Sequence, residues 1–327
     1  MYRYFLLYAL IFSVSLGATA FAEKRLIPIL RQRAKQPIYE GGPKWHSVKS
    51  GTPTMGGLGF VIAIGIACGI SVVYLTAIGE GDTALSLALL SAYAVLNAMI
   101  GMIDDAAKLK RKKNAGLSPM QKILLQLIPA ALFLTARRVL LGASTSLAFY
   151  FGEVELGAAY YPLAILLLLG IVNCANLTDG IDGLASCVAF AGGISFFYIS
   201  AYLDAAVGVC AAATIGATLG FLFFNIHPAK IFMGDTGSLF LGALSVGAAF
   251  TLGNPLLITV IGGVYIIEGL SVIIQVLFYK ATKRRVFKMA PIHHHFEKCG
   301  FSENTICIGA ILLTFLLSVV AYILYLP

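Results

Sequence analysis

Five aspartates stand in three short polar clusters, each abutting a long apolar run. The first cluster is Met102-Ile-Asp104-Asp105-Ala-Ala-Lys108. The second is Asn173-Cys-Ala-Asn176-Leu-Thr178-Asp179-Gly180-Ile-Asp182-Gly183. The third runs Asn225-Ile-His227-Pro228-Ala-Lys230-Ile-Phe232-Met-Gly234-Asp235-Thr236-Gly237-Ser238. Taken singly, each has an ordinary explanation. Asp and Asn beside Gly are turn and cap residues, and Asp104 with Lys108 at i,i+4 makes a helix pair. Taken together they supply hard oxygen ligands beside lysines. Mg2+ keeps several waters and takes one or two carboxylates with phosphate oxygens, and glycine lets the backbone approach such oxygens closely. The chemistry this suits is transfer at a phosphate. Adjacent Asp104 and Asp105 would point about 100° apart on a helix, so they have different jobs.

Two further stretches fit such a site. Lys49-Ser-Gly51-Thr52-Pro53-Thr54-Met-Gly56-Gly57 places a lysine, hydroxyls and glycines where a helix is about to begin, and a helix N-terminus favours anions. Pro291-Ile-His293-His294-His295-Phe296-Glu297 offers three consecutive histidines. From a helix or a strand these cannot all face one ion, so a zinc site is not expected. Donors to a pyrophosphate, or ring orienters, fit better, against the plain alternative of a solvated polar loop.

What must position these groups is a membrane bundle. Of 327 residues 59% are apolar and 12% charged, about half the ~25% charge of a soluble domain and too little to coat a soluble globule. The apolar residues fall into runs of about 20, the length that crosses ~30 Å of hydrocarbon. Ten helical spans are predicted, near 2–22, 54–79, 83–103, 119–136, 158–175, 184–203, 206–224, 238–253, 256–280 and 304–325. The chain therefore reads as one all-α polytopic membrane domain over 1–327, with about ten transmembrane helices. The first run could pass for a cleavable signal peptide. Its only basic flank residue is Arg3, however, while Lys24, Arg25, Arg31, Arg33 and Lys35 lie beyond it, so it is expected to stay.

Ten spans put both termini on one side. Twenty of the 23 Lys and Arg fall in loops 23–53, 104–122, 225–238 and 280–303, and only Arg3, Arg137 and Arg138 fall opposite. The positive-inside rule places the loaded loops in the cytoplasm and both termini outside. The net charge of +8 is thus an orientation signal, and no nucleic-acid partner is expected. Alternating residues about Gly152 predict a small periplasmic hairpin near 145–157. Six cysteines stand singly with no C-x-x-C pair, so neither a disulfide framework nor a metal knuckle is expected.

The acidic residues sort by side. Glu80, Asp82, Glu153, Glu155 and Asp204 fall in outer loops as solvated groups, and Glu23, Glu40, Glu297 and Glu303 fall in or beside basic inner loops as charge partners. Glu268 is alone inside a span and reads equally as a functional group or as a buried hydrogen-bonding one. The five clustered aspartates all fall at the cytoplasmic face. Their loops, near 104–122, 174–184 and 225–238, are expected to form the active site together with 23–53 and 280–303.

Asp104-Asp105-x-x-Lys108, Asn176-Leu-Thr-Asp179-Gly-x-Asp182-Gly, Phe232-Met-Gly-Asp235-Thr-Gly-Ser and Pro291-Ile-His-His-His-Phe-Glu297 together resemble the polyprenyl-phosphate N-acetylhexosamine-1-phosphate transferases, over nearly the whole chain. The triple histidine and Gly51-Thr-Pro-Thr-Met-Gly-Gly57 point to the branch that handles muramoyl-pentapeptide. The resemblance implies a Mg2+-dependent enzyme of the bacterial cytoplasmic (inner) membrane, acting as a homodimer. Such an enzyme moves phospho-MurNAc-pentapeptide from UDP-MurNAc-pentapeptide to undecaprenyl phosphate, giving lipid I and UMP, in the first membrane step of peptidoglycan synthesis. It further implies that Asp235 ligates Mg2+ and that Asp104 or Asp105 receives the lipid phosphate, one of them acting as base in one version. Asn176, Asp179 and Phe232 would contact uridine or its diphosphate. Lys49, Thr54, Lys108, Lys112 and Lys122 would hold phosphate or nucleotide, and His293, His294 and His295 would meet diphosphate or sugar, with His294 counted as catalytic.

A phosphate monoester has its second pKa near ~6 and hardly needs a strong base, so direct attack of the lipid phosphate on the β-phosphorus is preferred, with a covalent phospho-aspartate as the alternative. The nearest rival is a UDP-GlcNAc:polyprenyl-phosphate GlcNAc-1-phosphate transferase. A rival from another class is a Mg2+ or anion transporter, whose carboxylates would run across the bilayer depth instead of gathering at one face.

Overall fold

All ten predicted apolar runs fold as helix. The computed structural model describes residues 4–34, 49, 51–111, 116–149, 152–200 and 203–325. In chain order these form α1 (Phe5–Arg33), α2 (Gly57–Ala77), α3 (Gly81–Arg111), α4 (Pro119–Leu141), α5 (Tyr160–Thr178), α6 (Leu184–Ser200), α7 (Ala205–Asn225), α8 (Gly234–Thr251), α9 (Leu257–Ile261), α10 (Gly263–Thr282), α11 (Ile292–Lys298) and α12 (Glu303–Tyr325). Eight of them, α1 to α5, α7, α10 and α12, are long and apolar enough to cross a membrane. Large apolar side chains such as Leu6, Val73, Val139, Leu166 and Leu312 stand exposed on the outside of the bundle. Such a surface suits lipid and would be an aggregation liability in water.

Three boundaries differ from the sequence reading. α1 and α3 run on as helix to Arg33 and Arg111, into the predicted inner loops 23–53 and 104–122. Ala, Leu, Lys and Arg are strong helix formers, and basic residues at a helix C-terminus complement its dipole. The predicted span 256–280 is instead two helices, α9 and α10, parted at Gly262. The predicted hairpin forms, with β1 (Ser146–Phe149) antiparallel to β2 (Gly152–Glu155) in the register Ser146↔Glu155 and Leu147↔Val154.

Two acids also differ. Glu23 is not a charge partner in a loop: it is fully buried in α1, pressed against Gly59 of α2, with no hydrogen-bond partner for either oxygen among the described residues. The helix simply continues past it and turns it inward. Asp204 is not merely solvated, because its carboxylate accepts from Ala206 N and Val207 N and caps α7, whose first N–H groups lack helical partners.

The architecture centres on α8. Sixteen of its eighteen residues are buried, and α2, α3, α5, α6 and α7 enclose it. A helix apolar on every side belongs inside a bundle. One end of this bundle gathers the C-terminal ends of α3 and α5 and the N-terminal ends of α4 and α8, while the hairpin lies at the other, where Asn254 after α8 donates to the Ala148 carbonyl at 3.4 Å.

Packing is very close where α3 meets α8. A Cβ on Gly101 would overlap the main-chain carbonyl of Asp235. Gly101→Ala is therefore expected to cost about 1–3 kcal/mol in overpacking, a fall of roughly 2–12 °C in melting temperature. Gly65→Ala, whose Cβ meets nothing within 4 Å, should melt at or slightly above the wild-type temperature. Equal melting of the two variants would contradict this packing.

Candidate active site

The site is built on the N-terminus of α8. Asp105 projects from α3 to accept Asp235 N at 3.1 Å, Thr236 N at 2.9 Å and Thr236 Oγ1 at 2.7 Å. It therefore acts as a cap supplied by another helix, satisfying N–H groups that α8 cannot pair within itself. The turn into α8 needs Gly234 at φ 70°. A Cβ there would lie 2.6 Å from Asp105 Oδ2 and 3.0 Å from Thr54 Oγ1. Thr54 is itself buried, with its N–H on the Ala34 carbonyl at the end of α1.

Held this way, Asp235 faces Asp104 across two ammonium groups. Lys108 Nζ lies 2.7 Å from Asp104 Oδ2, 2.8 Å from Asp235 Oδ1 and 3.9 Å from Asp105 Oδ1. Lys122 Nζ lies 2.5 Å from Asp235 Oδ2 and 3.6 Å from Asp104 Oδ2. The position of Lys122 follows from its sequence. Ser118 and Gln121 make a reciprocal capping box ahead of α4, with Pro119 at its first position, so Lys122 begins the helix at a fixed angle. The remaining Asp104 oxygen, Oδ1, accepts from Leu117 N at 2.6 Å. Three carboxylates and two ammonium groups thus share one buried site. Each charge alone would carry a desolvation cost of several kcal/mol, and the pairing offsets it.

The second motif flanks this centre. Asn176 Nδ2 donates to Ser238 Oγ at 2.8 Å and ties α5 to α8. Asp179 caps the end of α5 and stands near enough to Asp235 and Asp105 to feel both carboxylates. Asp182 turns away into a second cluster. Lys49 Nζ sits 2.7 Å from both Asp182 Oδ1 and Glu303 Oε2, and His227 Nδ1 lies 2.9 Å from Asp182 Oδ2. Lys49 is thereby placed with Asp182, apart from the Lys108 and Lys122 pair. Phe232 is half-buried, exchanging main-chain bonds with Pro53 and Gly56.

The histidine stretch is a short helix, α11, in which the His293 and His294 rings meet edge-on with centroids 4.2 Å apart while His295 faces elsewhere. His293 is fully buried, with Nδ1 3.0 Å from Glu268 Oε2. His294 is buried, with Nδ1 2.6 Å from Glu297 Oε2. The His295 ring faces the loop ahead of α11, where Nδ1 accepts Lys288 N at 3.1 Å and the ring meets Phe287 edge-on. Lys112 lies outside the described residues. Glu303 reads from the sequence as a charge partner and His227 carries no role there; nothing local signals their meeting, since Glu303 lies 254 positions from Lys49.

The donor set fits a hard cation. Asp104, Asp105 and Asp235 each bring one carboxylate oxygen within 4.8 Å of the others, and oxygen-only ligation with room for phosphate is what Mg2+ takes. Beside the site, a cavity of about 350 Å³ opens between α6, α10, α11 and α12, lined by Leu184, Val264, Ile267, Phe296, Phe301 and Leu313, with Glu268 at its wall.

Comparison with known proteins accounts for this arrangement. The pattern of glycosyl transferase family 4 matches residues 86–253, from α3 through α8 and so across all three aspartate clusters. The chain belongs to that family. Within it, relatives called phospho-N-acetylmuramoyl-pentapeptide-transferase are similar over most of their length. The one from Clostridioides difficile is 40% identical, covering 86% of each chain. That from Desulforamulus reducens is 44% identical over 90% of this chain and 88% of its own, and that from Desulfitobacterium hafniense is 38% identical over 95% and 96%. The resemblance read from the motifs is borne out, as is the all-α polytopic membrane fold.

Asp179 gives this family site a pH-dependent feature. Burial, and next the Asp235 and Asp105 carboxylates, push its carboxyl up to about 8. Its contribution to stability is full below the ordinary carboxylate range, near ~4, and is lost as pH rises through about 8. In metal-free protein, Asp179→Asn is therefore expected to raise the melting temperature more at pH 8.5 than at pH 5. Equal shifts at the two pH values would contradict the assignment.

Proposed function

We propose that the protein transfers phospho-MurNAc-pentapeptide from UDP-MurNAc-pentapeptide to undecaprenyl phosphate, releasing UMP and forming lipid I. The observation that carries this reading is the joining of two things: a buried carboxylate and ammonium centre built for phosphate, and family relatives whose name states that transfer. The basic loops support a cytoplasmic side for the α8 N-terminus, and the bacterial inner membrane belongs to this reading through the resemblance. The expected pairing of two copies belongs to the same reading and rests on the resemblance alone.

The reaction exchanges one phosphoanhydride for another. An oxygen of the lipid phosphate attacks the β-phosphorus that bears the sugar, a new P–O–P bond forms, and the bond to the α-phosphate breaks with UMP carrying the electron pair away. Little covalent work falls to the protein. Its task is to align two highly charged phosphates and offset their repulsion.

Asp235 and Asp104 are the groups that would hold Mg2+, which when bound neutralises charge on the diphosphate. Lys108 and Lys122, already set between those carboxylates, reach the phosphate oxygens. Asp105 is committed to α8 by three hydrogen bonds, so Asp104 is the better receiver of the lipid phosphate and Asp105 holds Asp235 in place. Asn176, Asp179 and Phe232 lie around the same end for the nucleotide, His294 serves the diphosphate or sugar, and the buried His293 ring backs the Asp179-Gly180 turn. The apolar cavity walled by α10, α11 and α12 offers the lipid chain a path beside the site.

Purified protein given UDP-MurNAc-pentapeptide, polyprenyl phosphate and Mg2+ should release UMP and make a lipid-linked product. Asp235→Ala should lower turnover at least ~100-fold, as loss of one key electrostatic group does. Product from UDP-GlcNAc but none from UDP-MurNAc-pentapeptide would overturn the substrate, and wild-type rates for Asp235→Ala at saturating Mg2+ would overturn its metal role.

A further inference from the structure

Glu268 is an unusual residue for its place. It is a carboxylic acid within α10, a helix long and apolar enough to span the membrane, and is 4% exposed. An acid there is costly and persists where it has a task. Its contacts are specific. Oε2 meets His293 Nδ1 at 3.0 Å and accepts the His293 main-chain N–H at 3.4 Å. The ring it holds is fully buried, and Nε2 has no hydrogen-bond partner among the described residues. That nitrogen lies close against Gly180, where a Cβ would overlap it. Gly180 follows Asp179, so the ring edge lies against the turn that carries the nucleotide-side aspartate.

From this geometry we infer that Glu268 is a positioning residue for the transfer. By accepting the Nδ1 proton of His293 it fixes the ring's orientation and tautomer, presenting Nε2 at the Asp179-Gly180 turn. A carboxylate on one ring nitrogen determines what the other offers, the arrangement that orients histidines in metal sites and catalytic triads. Glu268 also borders the apolar cavity between α6, α10, α11 and α12, so the pair links the cavity wall to the phosphate end of the site. This inference rests on the proposed transfer reaction. It adds a residue that touches neither phosphate nor nucleotide and acts only through His293.

A double-mutant cycle tests it on the full chain in lipid nanodiscs, following UMP release from UDP-MurNAc-pentapeptide and polyprenyl phosphate. Glu268→Ala is expected to lower kcat about 10- to 100-fold, the usual cost of losing a group that orients an active histidine. KM for both substrates should stay within about threefold, since a pure positioning loss falls on the chemical step. Glu268→Gln should recover part of kcat, because its carbonyl can still accept the Nδ1 proton. In a His293→Ala background, Glu268→Ala should have no further effect.

Effects that multiply in the double variant, or wild-type kcat in Glu268→Ala, would overturn the inference. A second measurement does not depend on Glu268 variants folding. In wild-type protein labelled with 15N-histidine, the resonance lost in His293→Gln should show a protonated Nδ1, and an unprotonated Nδ1 would overturn the inference equally. If wild-type protein makes no product from these substrates, the transfer reading itself fails. If it does and the cycle multiplies, only the role of Glu268 fails.

Discussion

The first N–H groups of α8 emerge inside a helical bundle where water cannot satisfy them, and the carboxylate of Asp105 is what receives them. Much else is arranged around that contact. Because the cap comes from α3, it fixes α8 in height and rotation as well as ending it. Because α8 begins at Gly234-Asp235, the same contact fixes where Asp235 stands. Gly101 lets α3 lie directly on the Asp235 main chain, and the left-handed Gly234 leaves room for Asp105 and Thr54. The adjacent aspartates therefore divide their work by direction. One faces the α8 backbone, and the other faces the ammonium groups.

Burying charge at this depth is tolerable only when it is paired, and the pairing has a chemical consequence. Lys108 and Lys122 hold Asp104 and Asp235 a few ångströms apart. Hard oxygens and cations are thus fixed before any substrate arrives. For a phosphate exchange, where little covalent work is done, such preorganisation supplies most of what a protein can contribute. The Lys49, Asp182, Glu303 and His227 group repeats the logic a short distance away and ties α12 to the loop ahead of α6.

The apolar runs were legible because membrane crossing imposes a length, and the aspartate clusters stood out because so few other acids share their face. Asp104 and Lys108 could be read as a helix pair, and they are one, but i,i+4 spacing says nothing about Asp235 completing the set from 127 positions away. The Lys49 partners are 133 and 254 residues distant, so only tertiary closure reveals them. Glu268 is ambiguous in sequence because its partner, His293, lies in a stretch that also reads as a polar loop; once α11 folds, the ring's Nδ1 lies 3.0 Å from its carboxylate. Glu23 defeated the reading for a simpler reason. A basic neighbourhood predicts an ion pair, yet the helix phase turned the side chain into the bundle. How far α1 and α3 extend was also hidden, since their last turns are polar and helical at once.

The most direct test of this centre is cation binding seen without turnover. Mn2+ can replace Mg2+ as an oxygen-ligated ion, and its electron paramagnetic resonance signal distinguishes free from bound metal. Titrating Mn2+ into wild-type protein with UMP present should show one saturable site, lost in Asp235→Ala although Asp104 and Asp105 remain. Undiminished binding in Asp235→Ala would contradict the view that the aspartates of α3 and α8 form a single metal-bearing phosphate centre.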